Sequence, residues 1–105
     1  MSYIGIYTCT LEMPWVSSLK EKRSVVKPIT ERLKARFPIS VARLGGQDSH
    51  DWEQIGITTI HLEAAWVQEI LGKVSDFIAR ETDATVRFEQ LEVILLSDLL
   101  ELDEI

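Results

Sequence analysis

Five cations concentrated in one stretch are the residues whose types and spacing point most clearly to chemistry. Lys20, Lys22, Arg23, Lys27 and Lys34 lie within Ser18–Phe37, SLKEKRSVVKPITERLKARF. That stretch holds seven Lys or Arg residues against Glu21 and Glu31, a net charge of +5 in a protein whose total is −6. At 100° per residue, Lys20, Arg23, Lys27 and Lys34 fall within about 60° of one another on a helix. Such a flank can pair with a row of phosphates. Lys20, Lys22 and Arg23 also crowd the end of the helix where the backbone dipole is positive, a placement that disfavours cations and is compatible with an anion site. The bland alternative is a solvated charged face.

The element that carries these cations has a defined start. Ser18 and Glu21 have the S-x-x-E spacing of a capping box. Leu19, Val26, Ile29, Leu33 and Phe37 form one apolar stripe, with Val25 at its edge. Arg32 and Arg36 lie on the other flank. Pro28 removes one helical hydrogen bond and is expected to bend the helix.

The remaining elements follow from periodicity. Tyr3–Leu11 alternates and is expected to be a strand, with Ile4 and Ile6 facing the helices and Tyr3, Tyr7 and Cys9 on the opposite face. Pro14 ends it, and Trp15 sits in the loop beyond, as a lid on the helix start or as a partner contact. Ile39–Leu44 is a short strand. Gly45–Glu53 is a polar loop, too long for a tight hairpin turn, and Gln54–Leu62 is a third strand. A second helix runs from Glu63 or Ala64 to about Glu81, and its Gly72 allows close packing on the sheet. Thr85–Leu96 is a fourth strand. Ser97–Ile105 is an acidic, apolar tail, read as a short helix or a strand extension.

The order β-α-β-β-α-β with right-handed crossovers predicts an α+β, ferredoxin-like fold: two helices on one face of a four-stranded antiparallel sheet, order 4-1-3-2. With 105 residues, residues 1–105 make one domain. The uncovered sheet face would carry Tyr3, Tyr7, Ile55, Ile57 and Thr59, apolar enough to expect a cover from a second subunit or the tail.

Composition bounds the function. The single cysteine, Cys9, fits a reducing compartment. The opening MSYIGIYTCTLE has no basic segment and no apolar run, so a cytoplasmic location and no membrane association are expected. A sequence pI near 4.8 confines any phosphate site to the basic helix.

Other constellations are thin. The loop after the first strand has no Arg, and the chain has no Asn, so an acylphosphatase-like site is not expected. A lone Cys9 rules out a C-x-x-C metal carrier, and the third strand lacks the aromatics on which an RNA-recognition motif stacks bases. Asp48, His50, Asp51 and Glu53 cluster without metal-ligand spacing and read as a solvated turn. His61 reads as a structural or surface histidine, Cys9 as a packing residue, and Glu89 and Glu92 form no dyad with a proton donor. The Gln47-Asp48 pair pins its loop or contacts a partner. No catalytic residue, metal, cofactor or small-molecule substrate is expected.

The strings SLKEKRSVVKPITERLKARF, SVARLGGQD and VQEILGKVSDFI resemble the YlxP-like family of small bacterial proteins, a domain of unknown function. The resemblance covers Tyr3 to about Val93 and is most specific at Ser18–Arg23 and Gln47-Asp48. The tail Ser97–Ile105 and the SHDW stretch fall outside the pattern. The resemblance implies a ferredoxin-like fold. It also implies a cytoplasmic role near ribosomes or RNA, because the genes of such proteins commonly neighbour those of translation initiation and ribosome maturation.

Two function classes follow. One is a non-enzymatic RNA- or ribosome-associated protein that holds phosphates through Lys20, Lys22, Arg23, Lys27 and Lys34. The other is a homodimeric interaction module without nucleic acid, whose basic helix meets an acidic surface such as Thr82–Ile105, where seven acidic residues stand against Arg87. Trp15, Gln47, Asp48, Tyr3 and Tyr7 are the candidate partner contacts.

Overall fold

The computed structural model describes residues 1–100. The last five residues of the acidic tail lie outside the described residues. Four strands, β1 (Tyr3–Glu12), β2 (Ser40–Gly45), β3 (Trp52–His61) and β4 (Thr85–Leu95), alternate with helices α1 (Leu19–Arg36) and α2 (Ala64–Glu81). A single turn of helix, α3 (Leu96–Leu99), follows. The sheet is antiparallel throughout, in the order β2-β3-β1-β4. This is the ferredoxin-like α+β sandwich expected from the element order.

Helix α1 begins where its cap dictates. The Ser18 hydroxyl accepts from the Glu21 backbone N–H at 3.0 Å. The returning half of the box lands one residue early: the Glu21 carboxylate accepts from the backbone N–H and hydroxyl of Ser17. The helix continues through Pro28 and closes on Phe37, whose N–H reaches the Leu33 carbonyl.

The core corrects the expected faces of the sheet. Tyr7, Cys9 and Leu11 of β1, with Ile55, Ile57 and Thr59 of β3, are buried beneath the helices. They pack with Val26, Ile29 and Leu33 of α1 and with Val67, Leu71, Val74 and Ile78 of α2. Ile6 and Ile60 are instead on the open face and exposed. Side chains alternate strictly along a strand, so reversing the assignment at one residue reverses all of them. The odd row of β1 stays apolar through Leu11, whereas the even row ends in Thr8, Thr10 and Glu12. The open face is apolar as expected, but through Ile6, Leu44 and Ile60.

The close approach of helix to sheet occurs at Gly5, not Gly72. A Cβ at Gly5 would meet Val67 and lie 2.8 Å from Leu71 Cδ1, whereas one at Gly72 would meet nothing within 4 Å. The start of α2 is organised by His61. Its Nδ1 accepts from the Glu63 N–H at 3.0 Å, and its ring stacks on Trp66 with centroids 4.2 Å apart. His61 is thus a structural residue.

Candidate phosphate-binding cleft

The five cations of the basic stretch divide into two groups. Lys22 is fully buried. Its ammonium donates to the carbonyls of Gly46 at 2.7 Å and Ser49 at 2.6 Å, and lies 3.1 Å from Glu53 Oε1. An ammonium has three N–H donors, and these partners occupy them. Lys22 is therefore removed from the set of phosphate contacts. It holds the β2–β3 loop against the start of α1, joining the two motifs, SLKEKR and GGQD, that stand out in the sequence.

Lys20, Arg23, Lys27 and Lys34 are exposed, and none takes an ion pair among the described residues. Arg23, Lys27 and Lys34 line one cleft of about 230 Å³ between α1 and β2. Val26 and Val41 contribute apolar walls, and Glu31 is the exposed acid on the rim. Lys20 lies one turn before this cleft and does not line it.

The cleft contains a cation that the helix pattern alone did not identify. Arg43 of β2 lines it, and its guanidinium grips the buried Glu53 carboxylate through Nε at 2.8 Å and through Nη2. That hydrogen-bonded partner holds Arg43 above its ordinary pKa. One carboxylate thus serves two cations, and the surplus positive charge faces the cleft. The available signal was spacing: Val41 and Arg43 share one face of β2, opposite Ile57 and Ile55, the row that faces the helices.

The other expected contacts lie elsewhere. Trp15 is half exposed, while Met13 and Val16 plug the loop in its place. Gln47 is exposed and its amide donates to the Arg43 carbonyl at 3.3 Å; Asp48 is exposed beside it. His50 Nδ1 lies 2.8 Å from the Val16 carbonyl, tying the two loops at this end of the molecule. Tyr3 packs against the core. Tyr7 is buried and its hydroxyl donates to Glu89, which also accepts from Ser75 at 2.7 Å. Neither tyrosine is presented on the open face, and Glu89 does have a proton donor beside it. Burial, then that hydrogen bond, pushes the Tyr7 hydroxyl far above its ordinary range.

Residues 4–90 match the family model described as "Protein of unknown function (DUF503)". The chain belongs to this family. Every member of the cleft and of the Lys22 cradle lies within the matched residues. This DUF503 chain is 32% identical over 75 residues to the uncharacterized protein YlxP of Bacillus subtilis (strain 168), covering 71% of this chain and 82% of that protein. It is similar in fold to the de novo designed protein Foldit4, with a TM-score of 0.56 at 9% identity over 90% of this chain and 98% of that one. Among the described residues no helix is long and apolar enough to cross a membrane.

Proposed function

We propose that this DUF503 chain is a non-enzymatic protein that associates with RNA or a ribosomal particle by holding phosphates along the α1–β2 cleft. The observation that supports this reading is the convergence of Arg23, Lys27, Lys34 and Arg43 on one cleft of a chain that is acidic overall. Cations without protein partners cost little to bring to a phosphate, because no existing pair is broken. Arg43 offers a guanidinium already fixed in orientation, and arginine suits phosphate recognition through its planar fork.

About four phosphate contacts give a slope of log affinity against log salt near −3 on single-stranded RNA. The test is fractionation of a tagged protein from its own cells at low and moderate salt. Co-migration with a ribosomal particle or its precursor, lost at the higher salt and lost with Lys27→Glu, supports the reading. Migration as a free dimer at both salts overturns it. That outcome favours the alternative of a homodimeric module, in which α1 faces an acidic surface of another copy such as the exposed Asp83 and Glu92.

A further inference from the structure

We infer that the α1–β2 cleft seats one unpaired base of a single-stranded RNA, with the neighbouring phosphates along its rim. This rests on the phosphate-binding reading above and adds what lies between the phosphates. A surface that holds only phosphates can be flat. This one is concave, with Val26 and Val41 in its wall and cations at its edge. At about 230 Å³ it falls below the roughly 300–1,000 Å³ that holds drug-sized ligands, and suits a single flat ring system. A base inside a duplex is stacked and paired and cannot enter a cleft. Bases of single strands and loops can splay out, and they stack on guanidinium planes as well as on aromatic rings.

Arg43 supplies such a plane. Its Nε and Nη2 edges are committed to Glu53, and Glu53 is fully buried and held in turn by Lys22. The guanidinium is therefore fixed before any ligand arrives, which lowers the ordering cost of binding. Its Nη1 edge takes no protein hydrogen bond among the described residues. The rim points to a strand, not to a free nucleotide. Arg23 to Lys34 spans about 16 Å of helix axis at 1.5 Å per residue, more than one phosphate can bridge. The lone exposed acid of the rim, Glu31, restricts how many phosphates lie there.

The test uses the intact chain at low salt. Fluorescence anisotropy is measured with a labelled 12-nucleotide single-stranded RNA and with a hairpin duplex carrying the same number of phosphates. Methyl resonances of Val26 and Val41 are followed by NMR during titration with AMP and, separately, with inorganic phosphate. The single strand is expected to bind at least about tenfold more tightly than the duplex. AMP is expected to shift the two methyl signals, and inorganic phosphate to leave them in place. Val41→Leu, which narrows the cleft without adding an aromatic ring on which a base could stack, should bring the single strand down toward the duplex affinity, and its thermal melt beside the parent chain shows that the variant is folded. Equal binding of strand and duplex, with both methyl signals unmoved by AMP, overturns the base seat and leaves phosphate binding standing. Failure of both RNAs to bind overturns both readings.

Discussion

The ammonium of Lys22 and the carboxylate of Glu53 meet 3.1 Å apart with both side chains out of solvent. Each has further partners: carbonyls of the β2–β3 loop for Lys22, and Arg43 for Glu53. A buried pair adds little over a well-packed apolar pair; without Lys22, Glu53 keeps Arg43, but the Gly46 and Ser49 carbonyls lose their donor, a loss that costs about 1–3 kcal/mol. Lys22→Met should lower unfolding stability by that order, read from urea denaturation. Arg23→Met, one residue along and exposed, should change it by less than about 0.5 kcal/mol.

Two glycines should respond in opposite directions. Gly5→Ala places a methyl against Val67 and Leu71, and overpacking of this kind costs about 1–3 kcal/mol. Gly72→Ala meets nothing and gains about 1 kcal/mol of helix propensity. Thermal melts of the two variants beside the parent chain decide the matter. A Gly72→Ala variant that melts lower would contradict the open space at that position.

Phe88 stands at the β4 bulge with φ of 55°, a left-handed conformation unusual for a bulky side chain. The residue is 74% exposed, so burial does not compensate. An L-residue in this region costs roughly 1–2 kcal/mol, while glycine gives back part of the gain through its looser unfolded chain. Phe88→Gly should raise the urea midpoint by an amount worth about 0.5–1 kcal/mol, with an unchanged denaturant slope.

Alkaline pH should act through Cys9. Burial above all, with Glu89 adding and a Tyr7 hydrogen bond opposing, pushes its thiol from 9.0 up to about 11. The folded state therefore keeps the proton where the unfolded state has lost it. Stability from this group is fully present below about pH 9 and is lost as pH rises from 9 to 11, by on the order of 2 kcal/mol. Tyr7, raised further still, adds its own loss above pH 10. Urea midpoints between pH 8 and 10 should fall for the parent chain and flatten for Cys9→Ala.

Local signals carried the elements. The capping residue, the helical period of α2 and the alternation of the strands are all read within a few residues, and the boundaries of α1 agree with Ser18 and Phe37 as its caps. Tertiary partners were legible only where the pattern ran long enough. Two isoleucines near the start of β1 outweighed a row whose apolar character continues as far as Leu11, and the wrong face followed. Lys22 counted as one more surface cation because its partners at Gly46, Ser49 and Glu53 lie 24 to 31 residues away along the chain. Arg43 was missed for the same reason: its carboxylate partner stands on the neighbouring strand. Arg23, Lys27 and Lys34 were legible as one row because helix geometry alone sets their spacing.

Strand β1 is central, with Tyr3 registered against both His61 of β3 and Leu95 of β4. Chains are made from the N-terminus onward. One side of the first strand therefore has no neighbour until the fourth strand, some eighty residues later, has emerged. Closure of the sheet is a long-range event, which slows folding, and until Thr85–Leu95 has been made the first strand keeps an unpaired edge.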